Sequence, residues 1–307
     1  MSFSNGSTTH SYLDDPDWHG FQVFTVCCFL VANYIFAALV RYEVIHGKFN
    51  GPYMKPSFLM KITAMLSSLC LIFATTTTQM DLLITHGIFS GKLSVCKTIS
   101  RVHEVFFNLG IELTYIFLWL RQFMFYRKIG IRHLNCTTVR VISSATLTLI
   151  LVKIIVCVFI NHYKDNVSWS EYSGCTLREK SSFFQFFVIM TLVVTLFTTL
   201  TLFGLFLYPL AVFSGRQSNN PKNFDHEERK AIKLLIRISI ASVIVCILSD
   251  FLIPVLGNIF IQNEVSLFRV ATFNDLSLLI NIVSIILTYE KSRDILFGGC
   301  CRPDLPY

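Results

Sequence analysis

Residues 182–213 read SFFQFFVIMTLVVTLFTTLTLFGLFLYPLAVF, an apolar stretch without one charged side chain. A helix needs roughly 20 predominantly apolar residues to cross the hydrocarbon core of a bilayer, and this run exceeds that length. Six more blocks of the same character flank it: Phe21–Val40, Phe58–Met80, Thr98–Phe125, Val141–Ile160, Leu234–Ile261 and Val270–Tyr289. The first and last are as clear as Ser182–Phe213, whereas Lys153 interrupts the fourth and Asp250 the sixth. Inside lipid only α-helices and closed barrels satisfy every backbone amide. None of the blocks alternates with the two-residue period of a barrel strand. The sequence therefore predicts an all-α membrane protein, a seven-transmembrane helix bundle. Composition agrees: 53% of the 307 residues are hydrophobic, only 15% are charged, and mean hydropathy is +0.58. A soluble domain carries about a quarter charged residues, so a soluble enzyme built on one ordinary core is excluded.

Lys and Arg beside the helix ends set the orientation. Residues 1–20 hold neither, but include Asp14, Asp15 and Asp17. Arg121, Arg127, Lys128, Arg132 and Arg140 surround the loop after the third block, and Arg216, Lys222, Arg229 and Lys230 follow the fifth. The tail adds Lys291, Arg293 and Arg302. The opposite loops hold Lys92, Lys97, Lys164, Arg178 and Lys180, so the bias, though incomplete, places the N-terminus outside and the tail inside. The net charge of +7 is mostly this inner face; spread over short loops, it forms no nucleic-acid surface. Sequons at Asn5 and Asn166 fall outside, as glycosylation requires, while a third at Asn135 falls inside. The first twenty residues are too polar for a cleavable signal peptide, so the first helix is expected to be its own insertion signal. One membrane domain, residues 21–289, thus joins an outer segment, 1–20, to an inner tail, 290–307.

Cysteine positions add detail. Cys27, Cys28, Cys70, Cys157 and Cys246 lie inside apolar runs, where cysteine packs as a small hydrophobe. Cys96 and Cys175 alone sit at outer ends, in an oxidising compartment, and are expected to pair. Cys300 and Cys301 follow the last helix on the inner side, a position suited to palmitoylation.

Several of these positions together resemble the rhodopsin-like (class A) G-protein-coupled receptors, over nearly the whole chain. Asn33 in Ala32-Asn33-Tyr34-Ile35-Phe36 matches the signature asparagine of helix one, and Arg121 follows Cys96 by 25 positions, the family's spacing from its helix-three cysteine to its G-protein-facing arginine. Pro254 stands at the helix-six proline, and Asn281-Ile282-Val283-Ser284-Ile285 is a degraded Asn-Pro-x-x-Tyr. Residues 290–297 look like the family's short amphipathic eighth helix, ending in Cys300 and Cys301. The chain departs from the pattern at Leu120-Arg121-Gln122, which lacks the acid that restrains the arginine; Cys70 replaces the sodium-binding aspartate and Leu252 the helix-six tryptophan. The resemblance implies a plasma-membrane receptor with an extracellular N-terminus. Arg121 would engage a heterotrimeric G protein, and the missing acid would loosen the resting lock. The seventh block has no lysine, which excludes an opsin-type Schiff base.

Charges inside the apolar blocks cost about 2.5–3.5 kcal/mol each on insertion scales, so they face the bundle and find partners. By resemblance His103, Glu104, Asn274 and Asp275 line an outward-opening ligand pocket. A short N-terminal segment points to a small molecule, a lipid or a short peptide as ligand. The alternative is that these groups bond one another. Asp250 and Asp275 fall at similar depth on consecutive helices and could face each other. Glu112 and Lys153 fall at compatible depths on adjoining antiparallel helices and are expected to form a structural ion pair. No metal-spaced cluster, cofactor motif or nucleophile constellation is present in the sequence, so no enzyme is expected. The expected function is detection of an extracellular ligand and activation of a G protein. The alternatives are a seven-helix transporter or channel using the buried charges, and a non-signalling membrane protein with the receptor fold.

Overall fold

The computed structural model of the chain describes residues 16–45, 56–85, 93–127, 136–163, 167–170, 174–177, 182–216, 237, 240–251 and 267–288. Pro16 and Pro56 each open a helix, where proline's fixed φ is favourable and its missing N–H costs nothing. These are α1, Pro16–Ile45, and α2, Pro56–Thr85. They are followed by α3, Leu93–Phe125, and α4, Thr137–Tyr163. Next come α5, Ser182–Arg216, α6, Ile240–Phe251, and α7, Leu267–Leu287. Between α4 and α5 the chain forms two antiparallel strands, β1, Val167–Ser170, and β2, Gly174–Leu177, with Trp169 opposite Cys175.

Among the described residues, α1, α2, α4, α5 and α7 are long and apolar enough to cross a membrane. The 33-residue α3 is long as well, but carries Lys97, Arg101, Glu104, Glu112 and Arg121. The described part of α6 is apolar and shorter. Several helices outrun the apolar blocks: α1 starts at Pro16 rather than Phe21, α2 ends at Thr85 rather than Met80, and α3 starts at Leu93 rather than Thr98. Helical backbone continues into the polar interface, where hydropathy no longer marks it. The outward faces are strongly apolar: Leu30 is 60% exposed, Ile155 69% and Phe197 62%. Soluble monomers rarely expose contiguous apolar surface on that scale. This is a membrane protein.

Inside, α3 packs against α2, α4, α5 and α7. One core joins Tyr115, Phe117, Leu118 and Leu120 of α3 to Ile150 of α4, Leu202 and Phe206 of α5, and Val243 and Cys246 of α6. A second joins Ala32, Ile35 and Leu39 of α1 to Leu71 of α2 and to Leu278, Ile282 and Ile286 of α7. Close contact of α2, α3 and α7 depends on Gly110. A Cβ there would lie 2.7 Å from Leu278 Cδ2 and 3.3 Å from Cys70 Cβ. Hydroxyls within the apolar helices bond their own backbone: Thr75 and Thr76 donate to Leu71 O and Ile72 O at 2.9 and 2.6 Å, so they need no water.

Candidate functional site

On a helix, residues three or four apart share a face. Glu112 and Tyr115 of α3 therefore point together, as do Ser277 and Asn281 of α7, and the two faces meet through α6. Lys153 Nζ of α4 lies 2.5 Å from Glu112 Oε1 and 5.3 Å from the centre of the Tyr115 ring. The Tyr115 hydroxyl donates to Asp250 Oδ2 of α6. Asp250 Oδ1 accepts from Asn281 Nδ2 at 2.7 Å and from Ser277 Oγ at 3.1 Å. Asn281 Oδ1 in turn accepts from Ser249 Oγ at 2.6 Å. A polar chain thus crosses the bundle from α4 through α3 and α6 to α7. Glu112 Oε2 is buried and has no hydrogen-bond partner among the described residues.

A second cluster lies nearer the disulfide end of α3. His103 Nε2 stands 3.1 Å from Asp275 Oδ1, and Thr78 Oγ1 of α2 donates to Asp275 Oδ2 at 2.7 Å. Asp81, one turn further along α2, is buried within electrostatic reach of His103. Thr25 of α1 and Thr272 of α7 meet at 3.1 Å. Above these, a disulfide joins Cys96 to Cys175, with Cα atoms 5.6 Å apart, and fastens the hairpin to the start of α3. At the other end of α3, Trp119 Nε1 donates to Ser143 O at 2.8 Å and Ser143 Oγ to Gln122 Oε1 at 3.2 Å. The Tyr126 hydroxyl donates to Leu205 O of α5 at 2.7 Å.

The structure brings together Cys96 with Cys175, Glu112 with Lys153, His103 with Asp275, and Asp250 with Asn281. Glu104 is the next residue after His103 along α3, turned about 100° away, and lies towards Cys157 of α4. Asn274 is half-buried, and Asn33 donates to Phe29 O of its own helix at 2.8 Å. Arg121 is half-buried near the end of α3.

Asp250 and Asp275, which their shared depth allowed to face each other, do not pair: each binds a different set of partners. At 3.6 residues per turn, Asp275 and Asn281 are about 120° apart around α7. One face of α7 therefore meets α2 and α3, and the other meets α6. Sequence reading missed Thr78, Asp81, Tyr115 and Ser277. Asp81 was within reach, lying one residue past the second apolar block, whereas the three hydroxyls resemble any others in these helices. Asn5, Asn166, Pro254, Cys300, Cys301 and residues 290–297 lie outside the described residues.

No protein-family model matches this chain, and no curated protein matches it.

Proposed function

We propose that the chain is a divergent rhodopsin-like receptor, a seven-span plasma-membrane protein that detects an extracellular ligand and activates a heterotrimeric G protein. The observation that carries this reading is the Cys96–Cys175 disulfide. It ties the start of α3 to the segment between α4 and α5, with Arg121 25 positions further along the same helix. The His103–Asp275 contact offers a cationic or hydrogen-bonding ligand a polar anchor below that disulfide. Arg121 sits where a G protein would approach. Agonist would act by favouring a packing in which α6 leaves α3 and opens the inner side.

Basal G-protein recruitment in cells, without added ligand, tests the reading. Recruitment should exceed that of non-expressing cells, and Arg121→Ala should lower it about tenfold at equal surface expression. Tenfold is what losing about 1.4 kcal/mol of interaction gives. Recruitment unaffected by Arg121→Ala would remove its assigned role.

The buried groups His103, Asp275, Glu112 and Lys153, with half-buried Asp250, favour one second reading, an ion-conducting or transporting bundle. It requires ion flux across liposomes holding the purified chain, which the receptor reading does not.

A further inference from the structure

The polar chain between α4 and α7 holds more negative charge than positive. Two carboxyls, Glu112 and Asp250, share one ammonium, Lys153. Glu112 Oε1 meets Lys153 at 2.5 Å, Asp250 accepts from Tyr115, Ser277 and Asn281, and no described residue donates to Glu112 Oε2. Glu112 lies in the field of Asp250, and Lys153 acts on both carboxyls. Among the described residues, the other groups that act on the cluster supply no cation. The thiols of Cys246 of α6 and Cys157 of α4 and the phenol of Tyr115 can carry no positive charge, Glu104 of α3 lies towards Cys157, and Ser277 and Asn281 of α7 are uncharged. Met60 and Ala64 of α2 and Leu202 and Phe206 of α5, packed in the same core, are apolar.

With both carboxyls ionised, one negative charge would stay uncompensated at membrane depth. Neighbouring carboxylates resist double ionisation, and a buried charge without its own partner is the costly case. We infer that this cluster is a binding site for one proton, taken from solvent and shared by Glu112 and Asp250 across Tyr115. The charges then close: Lys153 balances one carboxylate, and the other carboxyl is a neutral acid. Because the two groups titrate as a coupled pair, the proton belongs to the pair.

Among the described residues, the hydrogen bonds from α6 to other helices run through Asp250 and Ser249. A displacement of α6 that carried Asp250 to water would hydrate its carboxylate and leave Glu112 ionised against Lys153. The proton would return to solvent. It is thus a ligand of one packing of the bundle and is lost from the other. Such a proton site would serve a transporter as well as a receptor.

The test is infrared difference spectroscopy on the purified full chain in lipid nanodiscs at neutral pH, reading the C=O band of protonated carboxylic acids. Asp250→Asn and Glu112→Gln should each remove the band of one acid, since either leaves one carboxylate against Lys153. Lys153→Met should add one, since both carboxyls then need a proton. A band unchanged in both carboxamide variants, or removed by only one, overturns the shared proton. Thermal denaturation supplies a second reading that does not need Glu112→Gln to fold. The folded wild type holds a proton that the unfolded chain releases, so its stability relative to Asp250→Asn should fall as pH rises through neutrality. A difference between the two that stays constant with pH counts against the site.

Discussion

Lys153 is buried with one direct carboxylate partner and the face of Tyr115 for company. Without Glu112 the ammonium keeps only the Asp250 carboxylate, which makes no direct ion pair with it among the described residues, and without Lys153 both carboxyls must take a proton. Each loss costs stability, but less than the about 3–5 kcal/mol of a fully stranded buried charge. Glu112→Gln and Lys153→Met should therefore each lower the melting temperature in detergent, while the double variant recovers part of the loss. Strictly additive losses would mean the two residues do not depend on each other. This contact was legible in the sequence because it needs only depth: α3 and α4 are consecutive and antiparallel, so counting from the loop that joins them sets both heights. Asp250 and Asp275 also share a depth, yet they do not meet. Depth says nothing of rotation about the helix axis, and near Asp275 the apolar residues of α7 surround the whole helix. No polar outer face fixes which side looks inward. Tyr115 was illegible for a related reason: its ring belongs to the apolar core while its hydroxyl serves Asp250.

Helices α2, α3 and α7 approach closely where Gly110 presents no side chain to Leu278 and Cys70. Gly110→Ala forces fully buried Leu278 to shift, and overpacking of this kind costs about 1–3 kcal/mol. Leu278→Ala alone should cost about 2–5 kcal/mol through the cavity it leaves. Combined, the two should cost less than their sum, because the new methyl group enters the space Leu278 vacates. Melting curves of the four proteins decide it, and a full sum would show that the helices are not in contact at Gly110. The hairpin between α4 and α5 is a different kind of element. Hydropathy marked only a loop there, since four-residue strands outside the membrane leave no long apolar run. The two cysteines were legible all the same, because sidedness singled them out. Their bridge closes a separation of 79 residues, for which the chain-entropy relation gives about 4–5 kcal/mol. Cys96→Ser and Cys175→Ser should each lose that much, and the double variant no more than either alone. A double loss close to the sum would place part of each cysteine's contribution outside the bridge.

At the scale of the whole molecule, the disulfide and the basic loops must agree on which side faces out. At 1.5 Å per residue, the 33 residues of α3 extend about 50 Å, more than the roughly 30 Å hydrocarbon core. If α3 spans, Cys96 near its start and Cys136 just before α4 lie on opposite sides of the membrane. Cys96 is bonded to Cys175, which belongs in an oxidising compartment, so Cys136 should face the reducing one. Cys136 is also exposed, whereas Cys28, Cys70, Cys157 and Cys246 are buried. A membrane-impermeant maleimide can therefore report on it, in a chain whose Cys27, Cys300 and Cys301 are replaced by serine. Intact cells should show no labelling above that of the further Cys136→Ser variant, and permeabilised cells should show a signal that this variant lacks. Labelling in intact cells would put both ends of α3 on one side. It would take α3 out of the spanning helices, leaving the five that are long and apolar enough among the described residues together with whatever α6 contributes, and the basic loops would no longer fix the orientation.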